Sequence, residues 1–217
     1  MLLDAVEWLG HSGFRIETGG GAIYIDPYRV EAGGTADVIL ITHGHYDHFS
    51  PRDLEMLRDE DTLVIAPAAV AEQIDGRVLS IAPGEAVELD FPRGVEVTAV
   101  AAYNTSKRDP EGLPFHPREA GLVGYELNVR GRRLYHAGDT DVIPEMDAVA
   151  GAELALLPVS GTYVMTAAEA AEAARRIQPR LAVPMHWGQH IGTYEDARRF
   201  AEGAPVEVKI MEQAVAA

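Results

Sequence analysis

The sequence predicts an α/β fold in which β-sheets lie between outlying helices, formed as one domain over residues 1–217. Three observations carry this reading. Short apolar runs rich in β-branched residues, separated by glycine-rich turns, dominate the first part of the chain. Strand-like and helix-like segments alternate through the second part. No repeat, low-complexity tract or linker divides a length that α/β chains reach as one unit.

In order, the runs Val6 to Leu9, Phe14 to Glu17, Ala22 to Ile25 and Val38 to Ile41 read as strands, with Gly19-Gly20-Gly21 as one of the turns between them. Ser50-Pro51 opens a helix: serine caps the first free amides, proline is tolerated at the first helical position, and Leu54, Met56 and Leu57 follow. A strand at Leu63 to Ile65 and a short helix from Ala68 to Ile74 come next, then strands near Val78 to Ile81, Ala86 to Leu89 and Val95 to Val100. Asn104 to Glu119 carries three prolines with Asn, Ser, Asp and Gly, and so reads as a long loop of the kind that is usually functional or disordered. Strands follow at Leu122 to Val129, Arg133 to His136, Leu154 to Pro158, Leu181 to Pro184 and Val206 to Ile210. Thr166 to Glu169 is a capping box ahead of an alanine-rich helix to Ile177, and a further helix spans Tyr194 to Glu202.

Composition narrows the function classes. The chain has no cysteine, which excludes thiolate nucleophiles, disulfides and finger-type zinc sites, so any metal must sit on His and carboxylates. Its 34 acidic and 18 basic residues leave a net charge of −16, which repels phosphate backbones and anionic lipid. Nucleic acid and membrane are therefore not expected partners. No apolar run approaches the roughly 20 residues needed to span a bilayer, and MLLDAVEWLG lacks the pattern of a secretion signal, so a cytoplasmic location is expected. Self-association into a homo-oligomer stays open.

The chemistry is concentrated in Thr42-His43-Gly44-His45-Tyr46-Asp47-His48, directly after the apolar strand ending at Ile41. Three of the chain's eight histidines fall here beside an aspartate. A turn at a strand end can aim all four metal-competent side chains at one centre, where a regular helix or strand would disperse them. Imidazole and carboxylate suit zinc, iron or manganese. A solvated polar loop is the bland alternative, and the concentration of histidines argues against it.

The spacing H-x-H-x-D-H resembles the signature of the metallo-beta-lactamase superfamily. That resemblance implies His43 and His45 on one metal and Asp47 and His48 on a second. It also implies a later histidine, an aspartate at a Gly-Asp step and a final histidine near the C-terminal end. Tyr135-His136-Ala137-Gly138-Asp139-Thr140 supplies Asp139 as the bridging carboxylate, and Pro184-Met185-His186-Trp187-Gly188 supplies His186 for the second metal. His116 and His136 both stand as candidates to complete the first site. His136 is three residues before Asp139, so on a continuous strand it would face the other side, whereas His116 lies 23 residues upstream in the order that resembles the family. His116 is therefore preferred as ligand, and His136 is read as a buried strand histidine or a support one layer outside the ligands.

Three further residues complete the candidate set. His11, in a Gly-His-Ser turn resembling that of the lactonase-like branch, and His190 are candidates for substrate contact or for supporting the ligands, with structural or rim roles as alternatives. Asp26 either fixes a ligand histidine's tautomer or simply ends a strand. Within the superfamily, the chain resembles the branch that includes L-ascorbate-6-phosphate lactonase-like hydrolases, which implies a four-layer αββα sandwich of two mixed sheets flanked by helices. It also implies two divalent transition-metal ions, zinc foremost with manganese or iron as alternatives, and a metal-bound hydroxide that attacks an ester, lactone or phosphodiester bond of a small-molecule substrate. Asp47 is the residue expected to orient that attack. Lys107 and Arg108 could meet an anionic group. The competing readings are a nuclease or phosphodiesterase of the same superfamily and a non-catalytic metal-binding protein on the same scaffold.

Overall fold

The computed structural model describes residues 2–31 and 34–214. Strands β1 (Val6–Gly10), β2 (Gly13–Glu17), β3 (Ala22–Ile25), β4 (Val38–Leu40), β5 (Leu63–Ala66) and β6 (Val78–Ser80) form one sheet in chain order. It is antiparallel through β3 and parallel from β3 to β6. The second sheet contains β7 (Ala86–Glu88), β8 (Val95–Ala101), β9 (Val123–Val129), β10 (Arg132–His136), β11 (Leu154–Pro158), β12 (Leu181–Met185) and β13 (Glu207–Val208), also in chain order from edge to edge. It is antiparallel up to β10 and parallel beyond. Both sheets are thus mixed.

Strand β4 shows why the layers stack. Val38 and Leu40 point into the core between the sheets, while Ile39 and Ile41 point into a second apolar layer with Leu54 and Leu57 of α1 (Pro51–Leu57) and Val70 of α2 (Ala68–Ala71). A strand buried on both faces reads as a continuous apolar run, as this one does. On the far side, α3 (Ala167–Ile177) and α4 (Tyr194–Gly203) cover the second sheet with Ala170, Ala174, Ile177, Ala197 and Phe200. Each fully buried large aliphatic side chain contributes about 1.5–3 kcal/mol. The result is helices, sheet, sheet, helices.

Both long helices begin with capping boxes, Thr166 with Glu169 and Thr193 with Asp196. Two expected elements are three residues shorter than the sequence suggests. The helix at Ala68 stops at Ala71, because the amides of Gln73 and Ile74 bond carbonyls three residues back and Gly76 then takes a φ of 100°. The last strand is two residues long, an edge strand with β12 as its partner. Short 3-10 turns at Leu2–Ala5, Arg118–Ala120 and Pro144–Val149 carry no strong sequence signal. Among the described residues, no helix is long and apolar enough to cross a membrane.

Candidate metal centre

Five segments converge at one end of the two sheets. His11 comes from the β1–β2 turn, residues 43–48 follow β4, and His116 sits in the loop between β8 and β9. Asp139 follows β10 and His186 follows β12. The Gly138-Asp139 step needs its glycine: φ is 64°, and an added Cβ would stand 2.7 Å from the Val123 carbonyl oxygen.

Two groups of ligand-competent atoms result. His43, His45, His116 and Asp139 form one; His11, Asp47, His48 and His186 form the other; within each, the atoms lie within 4.8 Å of one another. In the first, His45 Nδ1 is 3.0 Å from His43 Nε2 and 3.2 Å from His116 Nε2. Asp139 Oδ2 is 3.4 Å from His116 Nε2 and 3.9 Å from His43 Nε2. In the second, His11 Nε2 is 2.9 Å from Asp47 Oδ2, which lies 3.9 Å from His48 Nε2. Asp139 reaches this group too, with Oδ1 3.3 Å from His48 Nε2 and Oδ2 3.2 Å from His186 Nε2.

These spacings suit a cation. Ligands about 2.1 Å from a tetrahedral zinc stand roughly 3.4 Å apart, close to the separations above. His48 Nε2, His186 Nε2 and Asp139 Oδ1 are buried without a hydrogen-bond partner. An orphaned buried polar atom costs about 1–3 kcal/mol, and three aimed into one space are relieved by a shared positive charge.

The outer nitrogens are held by polar partners. His48 Nδ1 is 2.7 Å from the buried Asp26 Oδ2, which also accepts from Thr42 Oγ1 at 2.6 Å, while Asp26 Oδ1 accepts from the Thr42 amide at 2.8 Å. Thr42 Oγ1 is 3.0 Å from His43 Nδ1, and Ser160 Oγ is 2.9 Å from His186 Nδ1. Asn104 Oδ1 accepts from both the amide and Nδ1 of His116, each at 2.9 Å. Asn104 Nδ2 donates to the Tyr163 carbonyl at 2.9 Å and to Asp141 Oδ1 at 3.3 Å. A proton fixed on Nδ1 leaves the Nε2 lone pair facing inward.

Charge is unevenly spread. Burial would lower the His48 pKa, but the carboxylates of Asp139 and Asp26 overcome it and hold it well above the ordinary histidine value. Burial, with charge on His48 beside it, pushes His43 well below that value. Burial also lowers His11 and His116 to about 4 each. Asp139 lies well below the usual carboxylate range and Asp47 at about 2: burial opposes ionisation in both, and neighbouring imidazoles outweigh it.

Backbone strain gathers at the same place. His11, Asp26, His186 and His190 all adopt a left-handed φ between 44° and 60°. Such conformations cost on the order of 1 kcal/mol each for non-glycine residues and cluster at functional sites.

All seven of the sequence-derived ligand candidates lie in the two groups, and a ring nitrogen of His11 lies within the second. His136 stays outside: it is buried, with Nε2 2.9 Å from the Ser12 carbonyl oxygen and Nδ1 accepting from the Gly138 amide. His190 is exposed, with Nε2 2.9 Å from the Tyr28 hydroxyl. Lys107 does not stand ready for an anion, because its ammonium pairs with Glu169 at 2.7 Å and Asp141 at 3.2 Å; Arg108 donates to the Gly112 carbonyl. Sequence reading missed Asn104 and Ser160, which lie far from the ligands in sequence, and Thr42, whose place beside His43 was a signal.

Comparison with known proteins gives the family. The model of the beta-lactamase superfamily domain matches residues 5–186. A UPF0173 metal-dependent hydrolase of Methanosphaera stadtmanae is 33% identical, over 94% of this chain and 92% of its own length. One from Methanopyrus kandleri is 33% identical, over 95% and 96%. The crystal structure of a Parabacteroides distasonis protein superposes with a TM-score of 0.83 at 30% identity, covering 96% of this chain and 93% of that one. Igni18, a metallo hydrolase from Ignicoccus hospitalis, shares the fold at 24% identity, with a TM-score of 0.77 and coverage of 97% and 95%. With the paired ligand groups and the two mixed sheets, these matches identify the chain as a member of the metallo-beta-lactamase superfamily and a metal-dependent hydrolase.

Proposed function

We propose that the chain acts as a single cytoplasmic domain that hydrolyses an ester, lactone or phosphodiester bond of a small molecule at a centre for two divalent ions, zinc foremost and manganese or iron as alternatives. The observation that carries the reading is the pair of four-residue groups, both within reach of Asp139. His43, His45 and His116 would hold one ion, His11, Asp47, His48 and His186 the other, with Asp139 between them. Bound there, such ions lower the pKa of water and polarise the scissile bond.

The protein's own share is orientation and charge. Asp26, Thr42, Asn104 and Ser160 fix the imidazole rings, so the cage is set before substrate arrives. Asp47 stays ionised at neutral pH and can accept a hydrogen bond from the attacking water. The net charge of −16 and the engaged Lys107 favour small substrates over nucleic acid. The lactonase-like branch remains part of this proposal for the bond type.

The test is metal analysis of the full chain after loading with zinc, manganese or iron, followed by assays on a lactone, an alkyl ester and bis(4-nitrophenyl) phosphate. Two ions per chain and turnover that rises with loading are expected, both lost in Asp139→Asn. A chain that binds metal yet hydrolyses none of the three would favour the binding-protein reading.

A further inference from the structure

Tyr46 stands between His45 of one ligand group and Asp47 of the other, and it is 65% exposed. A tyrosine so placed is not a core residue, yet it is not loose. Its ring meets Tyr28 at 6.1 Å and 75° and His190 at 5.9 Å and 78°, both edge-on arrangements. Tyr28 is itself fixed: its hydroxyl bonds His190, and the next two amides, of Arg29 and Val30, donate to the buried carboxylate of Asp53 in α1. The Tyr28 ring is also 6.4 Å from that of His11, so this three-ring cluster borders the second ligand group.

A second aromatic pair borders the first group. Phe115 directly precedes His116 and meets Tyr163 edge-on at 4.8 Å, while the Tyr163 carbonyl accepts from the Asn104 side chain that holds His116. Tyr163 is 40% exposed. Aromatic rings therefore border both ligand groups, Tyr46 with Tyr28 and His190 beside the second and Phe115 with Tyr163 beside the first.

The protein's own charges at this rim build no pocket for an anion. Asp47 adjoins Tyr46 in the chain, and Lys107 is engaged by two carboxylates. Arg29 is exposed, and its guanidinium lies over the Tyr28 ring, 5.3 Å from the centroid, where water screens it.

We propose that Tyr46, backed by Tyr28 and His190 and flanked by Phe115 and Tyr163, is a specificity subsite that takes a flat, uncharged aromatic group of the substrate beside the scissile bond. This rests on the hydrolytic reading above and narrows it from esters, lactones and phosphodiesters to aryl-bearing neutral esters or lactones.

The experiment uses zinc-loaded full-length protein and three esters with the same ethanol leaving group: ethyl phenylacetate, ethyl butyrate and ethyl 4-carboxyphenylacetate. Wild type is expected to favour the phenylacetate over both others in kcat/KM. In Tyr46→Ala the phenylacetate-to-butyrate ratio falls roughly 3- to 10-fold, mainly through KM, the scale of one aromatic pair. Tyr46→Phe keeps the ratio, because the ring and not the hydroxyl does the holding, and Tyr163→Ala provides a second exposed-site variant. An unchanged ratio in both alanine variants, or preference for the carboxylated ester, overturns the subsite while leaving hydrolysis intact. If no ester is cleaved, binding of 2-phenylacetamide is followed by saturation-transfer NMR. Binding lost in Tyr46→Ala upholds the subsite and removes only simple esters from the hydrolytic reading; binding unchanged in Tyr46→Ala, or no binding to wild type, overturns the subsite.

Discussion

Replacing Asp26 with asparagine isolates the contribution of one carboxylate that touches no substrate. Asp26 sits at a φ of 44°, which asparagine tolerates, so the backbone need not change. Its oxygens accept from the Thr42 amide, the Thr42 hydroxyl and His48 Nδ1, all within 2.8 Å and fully buried. Asparagine keeps an acceptor for the amide but turns an NH2 toward the other two groups. His48 then loses a charge-assisted bond of about 1.5–3 kcal/mol and the partner that fixes its tautomer. Loss of such a partner weakens metal affinity by about 10- to 100-fold. The assay is competitive titration with a chromophoric zinc chelator, with circular dichroism to verify the fold. The weaker step should be the ion held by His48, and the affinity of the His43 group should move less. Zinc affinity within twofold of wild type at both steps would refute the claim that Asp26 acts through His48.

Other expectations concern the remaining histidines and protons. His11→Ala should lower metal content by about one ion per chain, whereas His136→Ala should keep full content but lose about 2–3 kcal/mol of stability with its buried hydrogen bonds; elemental analysis and urea denaturation separate the two, and equal metal loss would refute the distinction. Because His48 is held protonated while His11 and His116 are already neutral, ion binding near pH 7 should release about one proton, read from calorimetry in buffers of different ionisation enthalpy. The metal-free chain should lose stability as pH falls from about 6.5 toward 4, since the unfolded state takes protons on His11 and His116 first. Asp47, whose pKa drops from 3.8 to about 2 on folding, extends that loss below pH 4. His48 has the opposite sign: its stabilisation is full below about 6.5 and fades as pH rises through its raised value. Denaturation midpoints across pH 2 to 8, measured with chelator, check the combined slope.

Much of this was legible because the chemistry is local. His43, His45, Asp47 and His48 share one turn, and Asp139 and His186 each follow an apolar run at a recognisable step. The continuous apolar character of residues 38–41 also marked a strand covered on both faces. The contact of His11 with Asp47 was not legible because the two are 36 positions apart and meet only where the β1–β2 turn and the segment after β4 reach the same end of one sheet. Lys107 looked free because Glu169, the side chain that engages it, belongs to a helix 62 residues on. Asn104 and Ser160 were invisible for the same reason: residue type alone does not reveal which amide or hydroxyl meets a histidine. The end of α2 and the brevity of β13 depended on turn closure and on edge position, which periodicity does not encode.

Each ligand group draws from both halves of the sandwich. His43 and His45 leave the first sheet and meet His116 and Asp139 from the second; His11, Asp47 and His48 leave the first and meet His186 from the second. Cations seated there would act as rivets across a joint that apolar packing and a few hydrogen bonds, such as Tyr125 Oη to the Ile41 carbonyl and His136 to the Ser12 carbonyl, already hold. Occupancy would then tighten two already bonded slabs into one stiffer body, and the molecule's resistance to heat would become a gauge of how much metal its surroundings supply.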